Sequence, residues 1–144
     1  LGLLRSDLIN RNVTVSLELG TGLPEISGDH VQLKQVLINL VINGCDAMRG
    51  HDGTHALTVA TQAAEGNAVE ISISDVGGGV PPEDMERIFL PFVTSKAEGI
   101  GLGLAICRSI VQAHGGRIFA SNNQTRGATL HVVLPAGATS PDVD

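Results

Sequence analysis

The chain has 144 residues, enough for one domain with a core of its own. Apolar residues make up 42%, but with three Phe and no Trp or Tyr that core must be aliphatic. A formal charge of −6 argues against the broad basic surface that nucleic acid requires, and no apolar run approaches membrane-spanning length.

Leu3, Leu4 and Leu8 stand at helical spacing and predict a short helix over residues 1–12. The text opens at Leu1 without a methionine or a signal peptide, so a fragment of a longer cytoplasmic chain is expected. The parent chain is left open to carry a membrane anchor. Val13, Val15, Leu17 and Leu19 alternate with Thr14, Ser16 and Glu18, as in a half-buried strand. Thr21-Gly22-Leu23-Pro24 breaks it, and Glu25 to Ser27 reads as a short edge strand.

Asp29 is a good N-cap for a helix over His30–Met48, whose core stripe is Leu33, Val36, Leu37, Leu40, Val41, Ala47 and Met48. Beside it Gln32, Asn39, Asn43 and Asp46 project within roughly 60° at about 100° per residue. Asn is a mediocre helix former, so two of them one turn apart need a reason. They form either a satisfied polar rim or a row of amide oxygens suited to a hard cation such as Mg²⁺. Cys45 and Cys107 fall inside predicted helices with no metal spacing, which predicts buried, reduced thiols.

Ala56–Ala63 and Ala68–Ser74 read as strands joined by Ala64-Glu65-Gly66-Asn67. Asp75 follows the second, and then Val76-Gly77-Gly78-Gly79-Val80-Pro81-Pro82 opens a short helix over Glu83–Ile88. Asp75 either closes an Asx turn or accepts a hydrogen bond from the amino group of a base. Phe89 to Glu98 has no period and reads as a lid or binding loop. It runs into Gly99-Ile100-Gly101-Leu102-Gly103-Leu104, which feeds a helix ending at Gly115-Gly116. That helix places Leu102, Ile106, Ile110 and Ala113 on one face, with Arg108, Ser109 and Gln112 away from it. Glycines before a helix leave N–H groups open to a phosphate, though a ligand-free loop reads the same way. The spacing is neither G-x-G-x-x-G nor a Walker A loop. Arg117–Ser121 and Ala128–Leu134 close the fold as strands, and Ala136–Asp144 reads as a disordered tail.

Taken in order, these stretches resemble the ATP-binding catalytic domain of sensor histidine kinases, in the superfamily of type II topoisomerases, mismatch-repair ATPases and heat-shock chaperone ATPases. Gln35–Ala47 resembles the family's N box, Asp75–Val80 its G1 box, Phe89–Lys96 its F box and Gly99–Leu104 its G2 box. The text is most similar to nitrogen- and oxygen-sensing kinases of the NtrB and FixL type. The resemblance covers Val13 to Pro135 and implies an α/β sandwich: a mixed, mostly antiparallel sheet with helices on one face, the catalytic domain occupying residues 1–135.

The resemblance also implies roles. Asn43 matches the Mg²⁺ ligand, and Asn39 the upstream position at which ATP-hydrolysing cousins hold a glutamate base. An amide there fits transfer to a partner rather than to water. Asp75 matches the acceptor of the adenine amino group, with Gly77 and Gly79 admitting the base. Gly99, Gly101, Leu102, Gly103 and Leu104 match the phosphate loop, and Lys96, the lid's only lysine, is expected to reach the phosphates. Three departures stand out: Val76 where Asn is common, Asp46 where many members are basic, and Ile100 in place of Thr. His30, His51, His55, His114 and His131 lie within the match, none in an acceptor-like context. The implied function is transfer of the γ-phosphoryl group of Mg-ATP to a histidine on a separate helical dimerisation domain of the same parent. A response regulator is the onward partner, the full-length protein is a homodimer and the fragment a monomer. An ATP-binding interaction module with little catalysis and an anti-sigma-factor-type serine kinase are the alternatives.

Overall fold

The computed structural model describes residues 13–26, 28–48, 53, 55–90 and 103–136. The expected helix over 1–12, Ser27, the turn at 49–52, Thr54, most of the lid and glycine loop (91–102) and the tail beyond Ala136 lie outside the described residues.

Five strands form one sheet: β1 (Thr14–Leu19), β2 (Ala56–Ala64), β3 (Ala68–Ser74), β4 (Arg117–Asn122) and β5 (Ala128–Pro135). Their order is β1-β2-β3-β5-β4, with β1 parallel to β2 and every other pair antiparallel. This is the mixed, mostly antiparallel sheet expected. Two helices, α1 (His30–Ala47) and α2 (Gly103–Ala113), pack on each other and on one face of the sheet. Alternation decides that face. Ile71 and Ile73 of β3 and Leu130, Val132 and Leu134 of β5 point toward the helices and join Val36, Leu40, Val41 and Val111 in the core.

Local chemistry sets the element ends. Asp29 caps α1, its Oδ1 accepting from the N–H groups of Val31 (2.9 Å) and Gln32 (3.1 Å). The β2–β3 hairpin turns through Gly66 and Asn67, both at positive φ. Gly115, at φ +80°, and Gly116 stop α2, the Gly116 N–H reaching back to the Val111 carbonyl at 2.9 Å. His114 Nε2 accepts from the Asp29 N–H at 3.1 Å and ties the end of α2 to the start of α1.

Four sequence expectations change. The helix over Glu83–Ile88 is instead a pair of 3₁₀ turns, Pro82–Asp84 and Arg87–Phe89. So short a segment does not nucleate an α-helix on its own, and the tighter turns let Phe89 drop into the core, where it is 3% exposed. Glu25 and Ile26 form no strand; Ile26 packs its side chain against the core. On β1, Val13 and Val15 are half-buried, but Leu17 and Leu19 are exposed. The helices lie over β2, β3 and β4, and the far end of this edge strand has no cover among the described residues. The buried stripe of α2 is Cys107 and Val111, flanked by Leu104 and Ile110, while Ile106 and Ala113 point outward and Leu102 lies outside the described residues. The helix is rolled toward α1, so that the Cys107 thiol faces the Val36 carbonyl at 3.8 Å.

Candidate nucleotide-binding site

Asp75 follows directly on β3 and is 6% exposed, one of two buried polar residues among those described. Its Oδ1 accepts from the Gly77 N–H at 2.8 Å and from the Ala128 N–H at 3.2 Å. Its own N–H donates to the Ala128 carbonyl at 2.9 Å. The Asx turn therefore exists, and it holds a buried carboxylate at the mouth of the sheet rather than replacing one.

Helix α1 crosses this point. A Cβ added at Gly77 would lie 2.2 Å from the Ala47 carbonyl oxygen, and one added at Gly44 would meet Leu57 at 2.6 Å and Asp75 at 3.8 Å. Ala47 and Asn43 are one turn apart on the same face, so the helix that presses on Gly77 also carries Asn43 past Asp75. The Asn43 amide is half-buried and has no hydrogen-bond partner among the described residues. Asn39, a further turn along, is engaged: its Oδ1 accepts from Gln35 Nε2 at 3.1 Å, and its side chain hydrogen-bonds the Cys107 sulfur. Burial raises the Cys107 pKa from 9.0 to about 11, against a smaller lowering by Asn39. Cys45 and Cys107 are buried and form no disulfide, as the sequence predicts.

The β4–β5 turn buttresses the loop after Asp75. Asn122 grips Val80 twice, Oδ1 accepting from its N–H and Nδ2 donating to its carbonyl, each at 2.8 Å. Asn123 Nδ2 donates to the Asp75 carbonyl at 2.9 Å. Asn123 Oδ1 accepts from the Thr129 hydroxyl, which leaves Ser74 as the donor to Thr129 Oγ1, both at 2.6 Å. Arg126 donates to the Val76 carbonyl. At Gly127, φ is +88° and a Cβ would lie 2.1 Å from the Asp75 carbonyl oxygen. Gly79, at φ +82°, is crowded by Asn122 Oδ1 at 2.9 Å. Sequence reasoning alone reads 122–127 as a plain turn and misses Gly44. A glycine inside α1 is the available signal, since it is about 1 kcal/mol less favourable there than Ala.

Of the sequence-predicted site residues, Gly77 bonds Asp75 and packs against Ala47 of α1, Gly44 beside Asn43 approaches Asp75, and Gly79 packs against Asn122. Gly103 opens α2, and a Cβ added there would meet nothing within 4 Å. Leu104 turns its side chain into the core, leaving only backbone for a ligand. Lys96, Gly99, Gly101 and Leu102 lie outside the described residues. Val76 is committed to core packing, which accounts for an apolar residue there.

A model of "histidine kinase-, DNA gyrase B-, and HSP90-like ATPase" matches residues 28–138. The chain belongs to this ATPase family. Within it, the chain is 37% identical over 142 residues to the sensor histidine kinase ZraS of Escherichia coli (strain K12), covering 99% of this chain and 30% of that one. It is 38% identical over 126 residues to the sensor protein FixL of Bradyrhizobium diazoefficiens, covering 88% of this chain and 25% of that one. The fold superposes on the catalytic domain of histidine kinase ThkA with a TM-score of 0.81 and 30% identity, over 95% of this chain and 89% of that domain. This ATPase domain thus groups with histidine kinase catalytic domains and spans about a third or less of the curated relatives it matches. Among the described residues no helix is long and apolar enough to cross a membrane.

Proposed function

We propose that this domain binds Mg-ATP and donates its γ-phosphoryl group to a histidine on a separate helical dimerisation domain of the parent protein, which passes it to a response regulator. The carrying observation is Asp75: a buried carboxylate, oriented by two backbone N–H groups, at the end of β3 beside helix α1. A carboxylate so held recognises an amino group of a base and not a carbonyl. The half-buried Asn43 amide suits Mg²⁺, which takes few protein ligands and fills its shell with phosphate oxygens and water. Bound there, the ion would offset the charge that builds on the transferred group. Gly77 and Gly79 keep the loop low beside the base. Lys96, with the backbone of Gly99, Gly101, Leu102, Gly103 and Leu104, would hold the phosphates.

In the transfer, an imidazole nitrogen of the acceptor forms a bond to the γ-phosphorus as the bond to the β–γ bridging oxygen breaks, releasing ADP. Asn39 is a poor base, because an amide takes no proton and this one is already engaged with Gln35 and Cys107. Water therefore competes badly. His114 and His131 are hydrogen-bonded at both ring nitrogens, so neither offers a free nitrogen to the γ-phosphorus.

The domain alone should hydrolyse ATP very slowly and take no label from γ-labelled ATP. Mixed with the helical domain of its parent, it should form an acid-labile phosphohistidine there, and Asn43→Ala should abolish the transfer. Rapid self-labelling, transfer that survives loss of Asn43, or an acid-stable label on serine would each overturn the proposal, the last in favour of an anti-sigma-type kinase.

A further inference from the structure

The face of the sheet opposite the helices carries a line of three side chains from three adjacent strands. His131 of β5 lies in the middle. Its Nε2 is 2.8 Å from Ser121 Oγ on β4, and its Nδ1 is 2.6 Å from Glu70 Oε2 on β3. The register explains the meeting: Phe119 is the direct cross-strand partner of His131, while Ser121 and Glu70 stand diagonal to it on either side. The imidazole is held flat, stacked on Phe119 at 4.5 Å with 6° between planes. The Arg117 guanidinium in turn lies over the Phe119 ring, 5.2 Å from its centre.

We infer that Ser121 is an activated nucleophile, with His131 as its base and Glu70 positioning the imidazole, and that this face accepts activated esters of medium-length acyl chains. A carboxylate on Nδ1 selects the tautomer that leaves Nε2 open to the serine proton, the arrangement that makes a hydroxyl attack. Ser121, His131 and Glu70 are all half-buried and so reachable. A shallow, open depression of about 200 Å³ lies further along the same face, lined by Ala68, Gly115, Gly116, Arg117, Val133 and Pro135. Arg117 and Val133 pair across the strands, four residues along β4 from Ser121 and so roughly 13 Å away. An acyl carbonyl at Ser121 would therefore direct its tail along β4 toward this depression. Strand β4 is an edge strand, and the alternate N–H groups that point away from the sheet meet no further strand among the described residues, which suits them to a developing oxyanion.

In the reaction Ser121 Oγ bonds to the acyl carbon and the carbon–oxygen bond to the leaving group breaks. The Oγ proton passes to His131 Nε2 and from there to the departing oxygen. Water then attacks the acyl-serine by the same route, so that ester and water give acid and alcohol.

The test uses a fluorophosphonate probe, from which Ser121 displaces fluoride, with p-nitrophenyl octanoate and p-nitrophenyl acetate as substrates. The folded domain should take up one label, mapped to Ser121 by peptide mass. It should hydrolyse the octanoate above a heat-denatured control and faster than the acetate. Ser121→Ala should lose labelling and hydrolysis and melt like wild type, since it deletes one oxygen outside the nucleotide site. His131→Gln should slow labelling at least 100-fold. Glu70→Gln should lower the limiting labelling rate while leaving the half-saturating probe concentration unchanged, a split that a merely structural role would not produce. No label above the denatured control, a label elsewhere, or a folded His131→Gln variant that labels as fast as wild type would overturn the inference. Equal rates for the two esters would remove the depression from the site.

Discussion

Replacing Asp75 by Asn keeps an oxygen that can accept from the Gly77 and Ala128 N–H groups, but sets an NH₂ where a carboxylate oxygen stood. The fold should therefore survive. Adenine's amino group would then face a donor, and loss of a hydrogen bond to a charged acceptor is worth about 1.5–3 kcal/mol. Asp75→Asn should weaken ATP roughly 10- to 100-fold in a calorimetric titration. Inosine triphosphate, which lacks that amino group, should bind wild type as poorly as ATP binds the variant. Equal wild-type affinity for the two nucleotides would remove Asp75 from the base site. The motif around Asp75 is legible in the sequence because an acid before glycines is a local pattern. Its burial is not, because that comes from the β4–β5 turn, about fifty residues later in the chain.

At the scale of elements, the contact between α1 and the loop after β3 positions Asn43 relative to Asp75. Two glycines make it possible, and they should not tolerate Ala equally. At Gly77 the new Cβ meets a helix carbonyl at 2.2 Å, and backbone cannot step aside without moving α1. At Gly44 it meets the far end of the Leu57 side chain at 2.6 Å, which can rotate, while the helix gains about 1 kcal/mol in propensity. Gly77→Ala should lower stability by about 2 kcal/mol or more and reduce ATP binding with it. Gly44→Ala should stay within about 1 kcal/mol of wild type. Denaturant titrations of both variants decide the matter, and similar losses in the two would mean that the helix–loop contact is not the constraint. The helices and strands themselves are legible from period and caps, but the inward face of α2 is not. Ile106 and Cys107 are neighbours, and only docking on α1 selects the smaller for burial.

For the molecule as a whole, the core is largely aliphatic, and Cys107 is a titratable member of it at the contact between the two helices. Its folded pKa of about 11 lies above the ordinary 9.0 because burial penalises the thiolate. The unfolded chain thus loses its proton first, and the stabilisation is complete below pH 9 and lost as pH rises through 11. The full effect is roughly 2–3 kcal/mol. Wild type should weaken over that window, and Cys107→Ala, though less stable at neutral pH, should weaken less. Parallel pH profiles for the two proteins would refute the assignment. The sequence by itself determined five strands and two helices in chain order, the Asp29 cap, the glycine stop of α2 and the resemblance that leads to the ATPase family, because these depend on neighbours a few residues apart. Only the tertiary structure decided which face of α2 is buried, that Leu17 and Leu19 stay exposed, that Asn39 is engaged by Cys107, and that Ser121, His131 and Glu70 meet. Those outcomes depend on strand order and register, which bring together residues 10 to 71 positions apart, and no local pattern carries that distance.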